Sequence, residues 1–150
     1  MNLDHDFFTG LIVDELKKRF RSQNLLIQSD LKEHQNPPRD PIYVPGIIKP
    51  LNSVPDVYAR DDYSEPNVFI LGEAKTENDF RTCKERRDLQ LDYYFNYLKY
   101  KQNGLLVYAL PRNVKNILEE LIVKKKNEWD AKNVKYIILT EEEYVLTALG

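Results

Sequence analysis

The sequence predicts an α/β protein in which a mixed central sheet is flanked by helices. In some segments apolar residues recur at helical spacing, and in others they form short continuous runs that suit buried strands. The two kinds of segment follow one another in the order α-β-β-β-α-β-α-β, which is typical of a sheet covered by helices. The 150 residues contain no internal repeat, so residues 1–150 are expected to form one domain.

The first half of the chain is predicted to form a helix and three strands. Residues 4–22 predict the helix, because four apolar residues share one face: Phe8, Leu11, Ile12 and Leu16. Short apolar runs predict the strands, at 25–28, 54–60 and 67–75. The polar residues 61–66 predict a hairpin turn between the second and third strands. Six of the eight prolines lie within 37–55, so residues 33–53 are expected to form an irregular loop of a length that is often functional.

The second half is predicted to add two helices and two strands. The helices are at 79–102 and 112–129, and the strands are at 105–110 and Val134–Leu139. Asn103 and Gly104 should end the first of these helices, which is charged and rich in tyrosine. Pro111 should end the first of these strands. Residues 141–149 are expected to add a final helical turn or two.

Composition and charge exclude some classes of function. No run approaches the roughly 18 apolar residues of a membrane helix, and residues 1–10 lack the basic start of a secretory signal. Cys83 is the only cysteine and cannot form an internal disulfide, which fits a reducing cytoplasmic compartment. The net charge of −2 gives no overall attraction to nucleic acid, so phosphate binding would need a local basic groove or a divalent metal.

Three polar residues on the second and third strands predict a metal site. Glu73 and Lys75 are two residues apart, so they share a face at the end of an otherwise apolar strand, where they need partners or a ligand. A turn centred near residues 64–65 places Asp56 directly opposite Glu73, with Cβ atoms about 5 Å apart. A divalent cation would convert the repulsion of two such carboxylates into ligation. Oxygen ligands favour Mg²⁺ or Mn²⁺ over zinc.

The same residues resemble the signature of a known enzyme family. Pro55-Asp56, then 16 residues, then Glu73-Ala74-Lys75 is similar to the motif of the PD-(D/E)XK nucleases. The predicted α-β-β-β-α-β order matches the restriction-endonuclease-like core of that family over roughly residues 5–110. The family cleaves phosphodiester bonds with Mg²⁺. The resemblance implies that Asp56, Glu73 and the Ala74 carbonyl bind the metal, and that Lys75 orients or activates the attacking water.

Three further residues resemble features of this family. Glu15 lies within the apolar stripe of the first helix, and many members carry an extra acidic metal ligand there. A partly exposed helix acid is an equally good interpretation of Glu15. Gln90 and Tyr94 are similar to the QxxxY element of the RecB-type branch, which includes the CRISPR-associated adaptation nucleases and uses the glutamine to hold the site and substrate. The iron–sulfur cysteines of that branch are absent, and an ordinary helix surface explains the pair as well.

Other polar and aromatic residues have less specific interpretations. Asp56, Glu73 and Lys75 could form a cross-strand salt-bridge cluster on a solvated face. A cluster of tyrosines could stack bases, although core and subunit interface is the favoured interpretation: Tyr93, Tyr94, Tyr97 and Tyr100. Basic residues could contact phosphate, but they more often lie on solvated helix faces: Arg86, Arg87, Lys124, Lys125 and Lys126. No role is assigned to His5, His34 or Cys83.

The leading hypothesis is a Mg²⁺-dependent deoxyribonuclease that acts in restriction, phage defence, mobile-element biology or repair. Its small size and lack of net positive charge lead us to expect a homodimer or a partner subunit, and no membrane association. The alternatives are a catalytically silent nuclease-fold subunit that binds nucleic acid or protein, and a purely structural α/β protein. The choice between DNA and RNA, endonuclease and exonuclease, or Holliday-junction and restriction-like cleavage is open.

Overall fold

The computed structural model describes residues 3–20, 25–29, 31, 55–61 and 67–143. The four helices are α1 (His5–Arg19), α2 (Glu77–Thr82), α3 (Lys84–Lys99) and α4 (Lys115–Glu128), with a short 3₁₀ turn at Arg112–Val114. The five strands are β1 (Leu25–Ser29), β2 (Val57–Asp61), β3 (Val68–Ala74), β4 (Gly104–Ala109) and β5 (Val134–Leu139). The predicted loop at 33–53 lies outside the described residues, as does most of the predicted terminal helix, of which 141–143 are helical.

The five strands form one mixed sheet in the order β1-β2-β3-β4-β5. The first three strands are antiparallel, and β3, β4 and β5 are parallel. The prediction of an α/β fold with a mixed sheet is therefore confirmed. The change of direction agrees with the connections, since β2 and β3 are consecutive antiparallel strands, whereas helices join the parallel strands. The predicted turn at 61–66 lies outside the described residues, except for Asp61.

Helices cover both faces of the sheet and enclose two apolar layers. On one face α1 buries Phe8, Ile12 and Leu16 against the sheet. On the other face, α3 and α4 form a second buried cluster with β3 and β4, to which the strands contribute Leu71 and Leu106. Both crossover connections place their helices on this second face, because successive parallel strands are joined with the same hand. None of the helices in the described part of the chain is long and apolar enough to span a membrane.

The prediction of one helix at 79–102 is wrong, because this segment is divided between α2 and α3. The backbone of Cys83 leaves the helical region, with φ −103° and ψ 54°. Thr76 caps α2 by accepting a hydrogen bond from the Asp79 N–H, so this helix begins earlier than predicted. The Arg87 guanidinium donates to the Phe80 carbonyl at 3.0 Å and satisfies a group that the end of α2 leaves without a helical partner. No glycine or proline marks this break, so the sequence pattern did not reveal it.

Candidate active site

The candidate site lies where the sheet changes from antiparallel to parallel pairing. Val57 pairs with Gly72 in the β2–β3 ladder, so one further step places Asp56 across from Glu73. This is the predicted register. Glu73 is near the carboxyl end of β3, and in open α/β sheets ligands bind outside the carboxyl ends of the parallel strands.

Both oxygens of the Glu73 carboxyl group have polar partners. The Lys75 ammonium lies 3.3 Å from Glu73 Oε1, and the Gln90 amide donates to the same oxygen at 3.4 Å. The Tyr94 hydroxyl donates to Oε2 at 2.8 Å. The Glu73 side chain is only 5% exposed. The structure therefore brings Glu73, Lys75, Gln90 and Tyr94 together, and a solvated salt-bridge cluster does not describe them.

Burial makes the ionised form of Glu73 unfavourable. Desolvation, followed by the nearby Asp56 carboxylate, raises the pKa of Glu73 to about 8, although Lys75 and the Tyr94 hydroxyl oppose the rise. Burial and the proximity of Glu73 also raise the pKa of Tyr94 well above its ordinary range, so its hydroxyl stays a hydrogen-bond donor. A positive charge next to Glu73 would stabilise the carboxylate.

Asp56 joins this group from the start of β2. Its Oδ2 accepts a hydrogen bond from the Ala74 N–H at 2.8 Å, which ties the residue to the end of β3. Its Oδ1 lies 3.1 Å from His5 Nε2, at the first turn of α1. Sequence reasoning gave His5 no role, because its distance along the chain from other candidate ligands showed no ligand spacing. Only the packing of α1 on the sheet brings it to Asp56.

The structure does not bring Glu15 to this group. Glu15 pairs with Arg19 one turn further along α1, at 3.2 Å. At 1.5 Å per residue it lies about 15 Å along the helix axis from His5, the α1 residue that reaches Asp56. The inward-pointing ligand expected of the first helix is therefore not at this position, although the helix itself approaches the site through His5.

The two arginines proposed as phosphate contacts have different surroundings. Arg86 is exposed. The Arg87 guanidinium is largely buried and lies 4.5 Å from the centroid of the Phe80 ring, so it packs α2 against α3. Arg87 also lowers the pKa of Tyr108, although burial and the carboxylates dominate and raise it. Arg87 thus holds the junction of α2 and α3 together and offers little open surface to a phosphate.

The tyrosine-rich helix serves mainly as core. Tyr93, Tyr94 and Phe95 are buried, which confirms the core part of that interpretation, whereas Tyr97 is half-buried and Tyr100 is 69% exposed. Of the three consecutive lysines, Lys125 forms an ion pair with Asp92 of α3 at 2.9 Å and so joins two helices.

Sequence reasoning also missed Tyr108, which lies opposite Glu73 on β4. Among the residues that the structure describes, neither its buried hydroxyl nor the buried Oε1 of Gln90 has a hydrogen-bond partner. Buried polar atoms normally have partners, so these two atoms beside Glu73 leave capacity for one more polar group. Tyr108 lies in a wholly apolar run, 104–110, and alternation on β4 was the only signal of its direction.

The candidate metal ligands here are two carboxylates, Asp56 and Glu73, and they do not enclose an ion completely. Across the described ranges, no group of three or more His, Cys, Asp or Glu side chains is arranged to hold a metal. Mg²⁺ keeps several waters and is often bound by only one or two carboxylates. The chemistry of Asp56 and Glu73 fits such an ion, and their mutual repulsion would be relieved by it.

Comparison with known proteins adds no relative to this picture. No protein-family profile, curated protein or solved structure matches the chain.

Proposed function

We propose that this protein is a Mg²⁺- or Mn²⁺-dependent nuclease of the PD-(D/E)XK type that hydrolyses phosphodiester bonds in DNA. The observation that supports this best is the buried Glu73 carboxyl group, paired with Lys75 and opposite Asp56 at the end of β3. A buried acid with a raised pKa at the carboxyl end of a parallel strand is typical of a functional site. The restriction-endonuclease-like core and the RecB-type branch, with Gln90 and Tyr94 as its element, belong to the same proposal.

In this proposal Asp56, Glu73 and the Ala74 carbonyl hold the metal. A bound divalent cation supplies charge neutralisation at the phosphate and a more acidic water. The donor set is consistent with the ion, because two carboxylates and a carbonyl are hard oxygen ligands. His5 contacts Oδ1 of Asp56, and the Ala74 N–H donates a hydrogen bond to Oδ2, so the Asp56 carboxylate has a defined orientation.

The remaining residues position Glu73 and the reactants. Tyr94 and Gln90 donate to different oxygens of Glu73, so they set the plane of its carboxyl group. Lys75 lies close enough to Glu73 to orient a water or a phosphate oxygen beside it. Preorganised donors of this kind contribute because they need no rearrangement during the reaction.

Cleavage assays on plasmid and single-stranded DNA with Mg²⁺ or Mn²⁺ test the proposal. We expect Asp56→Asn and Lys75→Ala each to lower the cleavage rate by about a hundredfold or more, because each removes a group at the reacting centre. Asp14→Asn and Lys124→Ala are matched controls, since both side chains are exposed on helices and lie outside the site. Variants that cleave as fast as the wild type would show that the site is elsewhere.

Metal binding gives a readout that is independent of cleavage. We expect Mn²⁺ to raise the melting temperature of the wild type and of Asp14→Asn, and to raise it much less in Asp56→Asn, because a ligand that binds only the folded state stabilises it. EDTA should abolish both the thermal shift and cleavage. Equal shifts in all three proteins would contradict a metal at Asp56.

The second candidate is a catalytically silent subunit with the same fold. It is favoured by the partners that both Glu73 oxygens already have, and by the finding that no three His, Cys, Asp or Glu side chains among the described residues are arranged to hold a metal. In this case DNA would bind without cleavage in either metal, and Mn²⁺ would not stabilise the wild type.

A further inference from the structure

A second surface starts next to the candidate site and continues along the same face of the sheet. Alternate residues of a strand share a face, so Tyr58 and Arg60 follow Asp56 along the line of β2. Tyr58 pairs with Leu71, and Arg60 pairs with Phe69. The pair Tyr58–Leu71 therefore lies next to the pair Asp56–Glu73, and the pair Arg60–Phe69 lies one step further along the strands. Successive pairs on this face are about 7 Å apart.

The end of α3 completes this surface with an aromatic ring and a cation. The Lys101 ammonium lies 4.6 Å from the centroid of the Phe69 ring and 4.9 Å from that of Tyr97. Burial, followed by the neighbouring Tyr58 hydroxyl, raises the pKa of Tyr97, so the two phenol groups are neighbours. We call this set the aromatic surface: Tyr58, Arg60, Phe69, Tyr97 and Lys101.

The aromatic surface borders the aromatic core: Tyr58, Phe69 and Tyr97 pack against that core, and Nε of Arg60 is buried. All five of its side chains are partly exposed, whereas Tyr93 and Tyr94 on the same helix are buried. The surface also concentrates two positive charges on a protein whose net charge is −2. An arrangement of rings with cations over and between them matches the chemistry of unpaired nucleotides, whose bases stack on aromatic rings and whose phosphates attract cations.

We propose that the aromatic surface binds a single-stranded nucleic acid and guides it to Asp56 and Glu73. Bases stack on Tyr58, Phe69 and Tyr97, and Arg60 and Lys101 contact phosphates. The proposal names the substrate class of the nuclease site and rests on that function only for cleavage, because binding is measured separately.

The chemistry of the surface favours a single strand over a duplex. Bases in a duplex stack on one another and present only their edges, so aromatic rings gain little from them. Duplex binding depends instead on many phosphate contacts, and two cations supply few of these. Stacking is tolerant of sequence, so we expect little base preference.

Fluorescence anisotropy in EDTA tests the binding without cleavage. The probe is a labelled oligothymidylate of about twenty nucleotides, with an oligouridylate and a DNA duplex of the same length in parallel. We expect Tyr58→Leu and Tyr97→Leu each to weaken single-strand binding by about tenfold, because each removes a stacking ring but keeps apolar bulk. Arg60→Gln should reduce the slope of log affinity against log salt by about 0.7, the value for one phosphate contact on a single strand.

Two exposed residues elsewhere provide matched controls. Tyr100 is exposed and contacts Lys99, which also contacts Trp129, whereas Lys101 contacts Phe69 and Tyr97. Lys124 is an exposed lysine of α4. Tyr100→Leu and Lys124→Gln should bind as the wild type does. Far-ultraviolet circular dichroism and the melting temperature of every variant separate loss of binding from loss of fold.

Several outcomes would overturn the proposal. The first is that Tyr58→Leu and Tyr97→Leu bind the single strand as tightly as the controls do. The second is that the duplex binds as tightly as the single strand. The third is that the protein is a dimer and that Tyr97→Leu dissociates it. The last outcome would identify the surface as a contact between copies of this chain. Binding that the variants weaken, without any cleavage in Mg²⁺ or Mn²⁺, would support the surface and refute the nuclease. Cleavage by variants that bind normally would refute the surface alone.

Discussion

Glu73 occupies a position that apolar residues normally fill. It follows the buried run 68–72 of β3, and burial together with Asp56 raises its pKa to about 8. Because the unfolded chain ionises near pH 4.5, the folded protein holds this proton more tightly than the unfolded chain does. The contribution of Glu73 to the free energy of unfolding therefore falls as pH rises from 4.5 to about 8 and is constant above that.

Glu73→Gln tests this pH dependence in the metal-free protein. The amide is neutral at every pH, so we expect the variant and the wild type to have similar free energies of unfolding near pH 4.5. At pH 8 the free energy of unfolding of the variant should be higher by about a few kcal/mol, as the size of the pKa shift implies. Urea denaturation in EDTA measures the difference. Glu15→Gln, at a partly exposed acid, is the control and should change little. A difference between Glu73→Gln and wild type that is the same at both pH values would contradict the raised pKa.

At the scale of elements, the close approach of α1 to β3 depends on Gly72. A Cβ atom at this position would lie 2.9 Å from Ile12 Cγ2, closer than such atoms approach, and 3.0 Å from Val57 Cβ, which is a very tight contact. Gly72 thus allows α1 to pack directly over the residue that precedes Glu73. The same packing places His5, at the other end of the helix's buried face, next to Asp56.

Gly72→Ala and Gly10→Ala form a matched pair. We expect Gly72→Ala to lower the free energy of unfolding by about 1–3 kcal/mol, because the added methyl group displaces Ile12 or the strand. Gly10 lies inside α1 with nothing within 4 Å of an added Cβ, so Gly10→Ala should raise stability by up to about 1 kcal/mol. Urea denaturation of both variants measures the effects. Equal effects of the two substitutions would show that α1 does not depend on this contact.

At the scale of the whole molecule, charge and size limit how the protein can hold a duplex. A domain of 150 residues with a net charge of −2 offers little area and no general attraction to DNA. We therefore expect a homodimer or a partner subunit when the substrate is a duplex. Size-exclusion chromatography with light scattering should show a dimer at micromolar concentration, and Tyr97→Leu should leave it intact. A strictly monomeric protein would count against self-association and leave a partner subunit as the remaining possibility.

Much of the fold and part of the site could be predicted because their signals are local. Apolar runs marked all five strands, although β2 begins only after Pro55, which has no N–H to donate to the ladder. Alternation placed Glu73 and Lys75 on one face, and the antiparallel pairing of the consecutive strands β2 and β3 brings Asp56 opposite Glu73. These features depend on neighbours that are close in the chain or joined by one turn, so residue order is enough to specify them.

Only the tertiary structure decided which distant residues complete the site. His5 reaches Asp56 and Glu15 does not, because the way α1 packs across the sheet determines which of its residues lies at the end of β3. Tyr108 faces Glu73 because β4 pairs with β3 in parallel, and the break at Cys83 is stabilised by Arg87 rather than marked by a helix-breaking residue. Contacts of this kind depend on how separate elements pack, and no spacing within a single element encodes them.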